Sequence, residues 1–157
     1  MTTSTESSTL ALLDTNILVY AVNSEAQHHS VSKDLLSRAS AAGAALCVAP
    51  QNLTEFYAIV TDRRRVPKPV SPAEAVQAIK DLLAMPGLAL LTVPVDIVNR
   101  WTELLQSRSV SSQHAFDVFL VATMLGNGVQ RLYTFNVAHF QVFQEIEVHV
   151  PQAVAKS

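Results

Sequence analysis

The run Leu10-Ala11-Leu12-Leu13 is apolar throughout and stops at Asp14-Thr15-Asn16, after which a second apolar run extends from Ile17 to Val22. A short run with no polar interruption is the mark of a strand covered on both faces, and such strands belong to parallel sheets packed between helices. A charge at the end of that strand then stands at the carboxyl edge of the sheet, where α/β folds place their sites.

The rest of the chain alternates as such a sheet requires. Residues 17–22 turn into a helix beyond a cap position at Asn16. Val31, Leu35, Leu36 and Ala39 recur at helical spacing through residues 29–42, and Gly43 stops that helix. Residues 44–49 read as a second buried strand ended by Pro50, and residues 51–61 as a helix with Leu53, Phe56, Tyr57 and Val60 on one face. Asp62 to Val70 holds Arg63, Arg64, Arg65 and Lys68 together with Pro67 and Pro69 and reads as an exposed loop. Ser71-Pro72-Ala73-Glu74 is a capping-box start for a helix that Pro86-Gly87 ends. A third strand over 88–93, a helix over 94–107 packed through Ile97, Trp101, Leu104 and Leu105, a helix carrying Asp117 to Leu125, and strands over 129–135 and 146–150 complete the pattern. Strands and helices in turn predict a layered α/β/α domain with a central parallel sheet.

Bulk properties bound the domain count. With 157 residues, 49% of them hydrophobic, the chain suits one core rather than two. We therefore expect a single domain over 10–150, a Ser/Thr-rich tail over 1–9 and a short tail over 151–157. A net charge of −2 assigns no polyanionic partner, so any nucleic-acid contact must come from a local basic patch. Cys47, alone of its kind and set among apolar residues, reads as a core residue and excludes an intramolecular disulfide or a multi-cysteine zinc site. No stretch of about 18 uncharged apolar residues occurs, so no membrane-spanning helix is expected.

Three carboxylates break three of the most apolar stretches: Asp14, Glu55 in Leu53 to Val60, and Asp117 in Ala115 to Ala122. An unpaired buried carboxylate costs several kcal/mol or takes up a proton. No Lys or Arg lies within 10–25, 51–60 or 110–128, which leaves a cation from solution as the natural partner. The plainer alternatives are a strand-end or cap role for Asp14, an exposed helical position for Glu55, a cap role for Asp117 and a turn role for Asn136. His139 reads as a surface residue, and His28, His29 and His114 as loop or helix-start residues without ligand spacing. The arginine run reads either as a solvated loop or as an RNA-phosphate contact.

In order along the chain, Leu12-Leu13-Asp14-Thr15-Asn16, Thr54-Glu55-Phe56 and Phe116 to Thr123 resemble the motifs of a PIN domain, and Gly128 to Phe140 is similar to its fourth motif. More narrowly, the chain resembles VapC-type toxins of prokaryotic toxin–antitoxin pairs. The resemblance implies a cytoplasmic Mg²⁺- or Mn²⁺-dependent endoribonuclease, a homodimer, an RNA substrate and a cognate VapB-type antitoxin that blocks the site. It assigns the catalytic, metal-binding acids to Asp14, Glu55 and Asp117. From the residues themselves we expect Thr15, Asn16 and Thr134 to hydrogen-bond the carboxylates or a substrate phosphate, and Asn136 to offer a neutral oxygen. Relatives often carry a further acid at the position of Asn136 or His139, and this chain has neither, so the formal charge for a second metal is reduced. The competing expectation is a catalytically inactive PIN fold that binds RNA or a partner. A phosphotransferase of the haloacid-dehalogenase type needs a second Asp where Asn16 stands, and a Rossmann nucleotide site needs a glycine-rich loop after the first strand.

Overall fold

The computed structural model describes residues 10–108 and 114–153; the tail expected at 1–9 and residues 154–157 lie outside them. Five three-residue strands, β1 (Ala11–Leu13), β2 (Leu46–Val48), β3 (Leu88–Leu90), β4 (Arg131–Tyr133) and β5 (Glu147–His149), form one sheet in the order β3-β2-β1-β4-β5. Every pairing is parallel, with Leu12 opposite Cys47 on one side and Leu132 on the other. The chain walks outward from β1 through β2 to β3, crosses back to β4 and continues to β5. The direction of winding therefore reverses between β1 and β4.

Strand alternation sorts the core into two layers. Ala11, Leu13, Leu46 and Val48 face one side and pack with Ile17, Leu18, Leu35, Phe56 and Leu82 from α1 (Thr15–Val22), α2 (His29–Ser37), α3 (Pro50–Val60) and α4 (Pro72–Leu83). Leu12, Cys47 and Leu132 face the other side and meet Val118, Val121, Met124 and Phe140 from α6 (Ala115–Gly126) and α7 (Val137–Phe140), with Trp101 of α5 (Ile97–Arg108) at the margin. The expected α/β/α layering is present. Cys47 is fully buried, and burial pushes its thiol up to about 12, so it is a core residue rather than a nucleophile. Trp101 packs edge-on against Phe119 and donates its indole N–H to the Ala115 carbonyl at 3.1 Å.

Local rules set most helix starts. Pro50 opens α3, where the Asn52 side chain accepts from the Ala49 backbone at 2.8 Å, and Ser71 Oγ accepts from the Glu74 backbone at 3.1 Å to cap α4. The strands are shorter than the sequence reading, the third ending at Leu90 rather than at 93, and two helix boundaries also differ. Asp14, not Asn16, caps α1, and the helix begins at Thr15. Helix α2 ends at Ser37, well before Gly43, and the chain continues through two 3₁₀ turns, Arg38–Ser40 and Ala42–Ala44, to Ala45 in the left-handed region at φ 56°. The Ala39 carbonyl is turned out of any helical ladder to accept the Gly87 N–H at 2.7 Å, and a Cβ on Gly87 would fall 2.1 Å from the Ala41 oxygen. That contact fixes the 3₁₀ segment after α2 against the turn before β3. The Asp62–Val70 loop is exposed at its charged residues, but Val66 inside it is buried.

Candidate active site at the sheet switch point

Asp14 leaves the carboxyl end of β1, and Thr134 leaves that of β4, so the two flank the point where the winding reverses. A crevice opens there because the connections from neighbouring strands run to opposite faces. The crevice has a volume of about 330 Å³ and is lined by Asp14, Thr15, Asn16, Glu55, Asp117 and Asn136, together with Arg65 and three residues of α1 and α3. Three carboxylates separated by 41 and 62 positions in sequence therefore reach one cleft from β1, α3 and α6.

Asp14 is the deepest, with 8% of its surface exposed. Its Oδ1 accepts from the Thr15 backbone N–H at 2.8 Å, and its Oδ2 accepts from the Thr134 hydroxyl at 2.7 Å. Thr134, itself fully buried, accepts in turn from the Asn136 backbone at 2.9 Å and from the Asn16 amide at 3.4 Å. Burial raises the Asp14 carboxyl to about 6, and the negative charges of Asp117 and Glu55 add to the rise, against the lowering by its two hydrogen bonds. Nothing among the described residues neutralises it, since no Lys or Arg forms an ion pair with Asp14, Glu55 or Asp117.

Glu55, half-buried on α3, is held at both oxygens: Thr15 Oγ1 donates to Oε2 at 2.8 Å, and Gln51 Nε2 donates to Oε1 at 3.0 Å. Gln51 Nε2 also donates to the Phe116 carbonyl at 2.9 Å, which ties α3 to the first turn of α6. Asn52, fully buried, donates to Thr15 Oγ1 at 3.2 Å. Asp117 stands in that first turn of α6, half-buried beside an exposed Phe116. Its Oδ2 lies 3.2 Å from His139 Nδ1 and 3.4 Å from His114 Nδ1.

Of the basic residues flagged in the sequence, Arg65 lines the cleft and supplies the one guanidinium there. Arg64 is engaged with Asp62 at 3.2 Å, Lys68 with Glu25 at 2.9 Å, and Arg63 is exposed. Sequence reasoning missed Gln51 and Asn52, although two amides opening a helix otherwise packed through Phe56 and Val60 were a usable signal. It also discounted His114 and His139, which the fold brings onto one carboxylate.

The donor set fits a hard divalent cation. Three carboxylates and the Asn16 and Asn136 amides offer oxygen ligands on an open cleft, and Asn16 Oδ1 is buried with no hydrogen-bond partner. A cation there would offset the burial of the Asp14 carboxylate, the main cause of its raised pKa, and the smaller repulsion from Asp117 and Glu55.

An all-parallel α/β/α domain that gathers carboxylates at its switch point, in place of a phosphate loop, is the class that fold and cleft define. The family model for the PIN domain matches residues 11–144, and the chain belongs to that family. Ribonuclease VapC43 of Mycobacterium tuberculosis and a VapC ribonuclease of Mycobacterium bovis are each 36% identical to it over 75 residues, 48% of this chain and 51% of theirs. The chain thus spans about half the length of the curated relatives it matches. Among solved structures, VapBC2 of Rickettsia felis bound to a promoter DNA fragment superposes with a TM-score of 0.61 at 16% identity, covering 90% of this chain and 98% of that one. The M. tuberculosis VapC20 toxin, which cleaves the sarcin–ricin loop, gives 0.61 at 19% identity over 87% and 98%. A toxin–antitoxin complex from Klebsiella pneumoniae gives 0.58 at 18% over 92% and 99%. At these identities the structural likeness speaks to the fold alone.

Proposed function

We propose that the chain is a divalent-metal-dependent endoribonuclease, the toxin of a toxin–antitoxin pair, working in the cytoplasm as a homodimer and silenced by a VapB-type antitoxin. The observation that carries this reading is the convergence of Asp14, Glu55 and Asp117 on one open cleft with Asp14 raised to about 6. The names of the curated relatives support it, and no described helix is long and apolar enough to cross a membrane.

Asp14, Glu55 and Asp117 are the residues that would hold Mg²⁺ or Mn²⁺, with Asn16 and Asn136 as neutral oxygen donors. The chemistry such a cation supplies is activation of a water and relief of charge on a phosphodiester oxygen. The protein's own contribution is position. Thr134 and the Thr15 backbone fix both Asp14 oxygens, and Thr15 and Gln51 fix both Glu55 oxygens, so that two carboxylates are pinned before substrate arrives. Arg65 at the rim is the group available to a backbone phosphate.

One observation favours a second reading. Asn136 and His139 leave the fourth motif without an acid, which suits a domain that binds RNA or a partner without cutting. Incubating cellular RNA with purified, antitoxin-free protein in Mg²⁺, Mn²⁺ or EDTA separates the two. Discrete fragments that disappear with EDTA support the nuclease. Intact RNA from a protein that retains RNA but binds no metal supports the binding module.

A further inference from the structure

His114 is the residue that precedes α6, Asp117 stands in the first turn of that helix, and His139 comes from α7. One ligand atom from each lies within 4.8 Å of the other two. The two imidazole rings sit edge to face, 4.7 Å between centroids at 68°, and both present Nδ1 to the same Asp117 oxygen. Those contacts, 3.2 Å and 3.4 Å, are longer than the roughly 2.7–2.9 Å of a charge-assisted N–H to carboxylate hydrogen bond. They match the separation of neighbouring ligands around a first-row metal whose bonds are about 2.0–2.2 Å, which places such atoms roughly 3.0–3.5 Å apart. All three side chains reach solvent, with 35%, 27% and 44% of the His114, Asp117 and His139 side chains exposed, so a cation can enter and complete its shell with water.

We propose that His114, Asp117 and His139 form a binding site for a borderline divalent cation, of which Zn²⁺ and Co²⁺ are the types. Two imidazoles and one carboxylate suit such ions, whereas Mg²⁺ prefers the all-oxygen set around Asp14 and Glu55. Asp117 belongs to both sets. A borderline cation on the histidine side therefore competes with the cleft for this carboxylate, and the choice of metal becomes a choice of which side of Asp117 is used. The site rests on these three side chains and stands whether or not the chain cuts RNA.

The test is a Co²⁺ absorption titration of the full chain, followed by displacement with Zn²⁺, and a parallel Mg²⁺ titration. Wild-type protein is expected to develop a visible Co²⁺ band that Zn²⁺ removes and that Mg²⁺ weakens only in large excess. The double variant His114→Gln/His139→Gln should bind Zn²⁺ at least ~10-fold more weakly, with far-UV circular dichroism confirming its fold, while Asp14→Asn retains wild-type Zn²⁺ affinity. Equal Zn²⁺ affinity in the double histidine variant overturns the site, as does an equal loss in Asp14→Asn. Proton spectra of the Co²⁺-loaded wild type give a reading free of any variant. Paramagnetically shifted signals from two imidazoles are expected, and the absence of any shifted imidazole signal overturns the proposal.

Discussion

Asp14 and Asp117 face the same cleft from opposite structural backgrounds. Asp14 ends a central strand, is 8% exposed and is held at both oxygens by groups anchored in the sheet and in α1. Asp117 sits in the first turn of a helix with its side chain 27% exposed, and its recorded partners are two imidazoles that both touch one oxygen. The first is a buried group held at both oxygens, the second a partly solvated one whose contacts converge on a single oxygen. The sheet contributes precision to this site at the cost of a buried charge, and the helix end contributes a carboxylate open to solvent.

If both acids serve one reaction, removing either should have the same catalytic outcome despite the contrast. Asp14→Asn and Asp117→Asn are each expected to lower RNA cleavage by about 10³-fold or more, since either change removes an anionic ligand from a cluster of three. Cleavage of a defined RNA under saturating Mn²⁺ measures it. A variant of Asp117 that kept most of its activity would break the symmetry and leave Asp14 and Glu55 as the working pair.

Stability in the absence of metal should separate the two. The Asp14 carboxyl is raised by burial from 3.8 to about 6, so the folded state holds its proton more tightly than the unfolded chain does. Below about pH 4 both states are protonated and no penalty exists; as pH rises from there through about 6 the unfolded chain releases its proton while the folded state holds it, so stability falls over that window and levels off once the buried group has ionised as well. At about 1.36 kcal/mol per unit, the difference amounts to roughly 3 kcal/mol. Asp14→Asn, which keeps a carbonyl to accept from Thr134 or Thr15 and has nothing to titrate, should therefore gain on the wild type between pH 4 and 7 in EDTA. Denaturant melts at several pH values give the gap directly, and a gap that does not widen with pH contradicts the burial penalty.

Asp117→Asn should behave oppositely and more weakly. Its carboxylate is partly solvated and lies near the positive end of α6, an arrangement worth about 0.3–1 kcal/mol. Losing it is expected to destabilise the metal-free protein by less than about 1 kcal/mol at neutral pH, measured in the same melts. A stabilisation matching that of Asp14→Asn would mean that the two carboxylates carry equal strain after all.

The same contrast explains what could be read from the sequence. Strands β1 and β2 and the cleft position of Asp14 were visible because an apolar run ending in a charge is a local pattern, and the α/β/α layers follow from its repetition. Glu55 and Asp117 stood out for the same reason, as charges inside apolar helices. The contact of His114 with His139 was not visible, because it joins residues 25 apart whose meeting depends on how α7 packs through Phe140 against the sheet. Gly43 misled for the converse reason. A local stop signal was present, but the chain left the α-helix at Ser37 and tightened into 3₁₀ turns before reaching it.

The arginine run carries the smallest expected effect and sharpens the comparison at the rim. Residues 63–65 are consecutive, yet their surroundings differ: Arg64 is drawn to Asp62, Arg63 is exposed, and Arg65 lines the cleft. If the cleft takes RNA, its three carboxylates repel that polyanion, and the guanidinium lining it matters for where the backbone rests. Arg65→Ala is expected to reduce the slope of log affinity against log salt by roughly 0.7, the release of one counterion from a single strand. Arg63→Ala and Arg64→Ala should leave that slope almost unchanged, since the first faces solvent outside the cleft and the second already has a carboxylate partner. Filter binding of an uncleaved RNA to the Asp14→Asn protein across a salt series resolves the three. Equal slopes for all of them would return the whole run to the status of a solvated loop and leave phosphate positioning to the metal and the backbone.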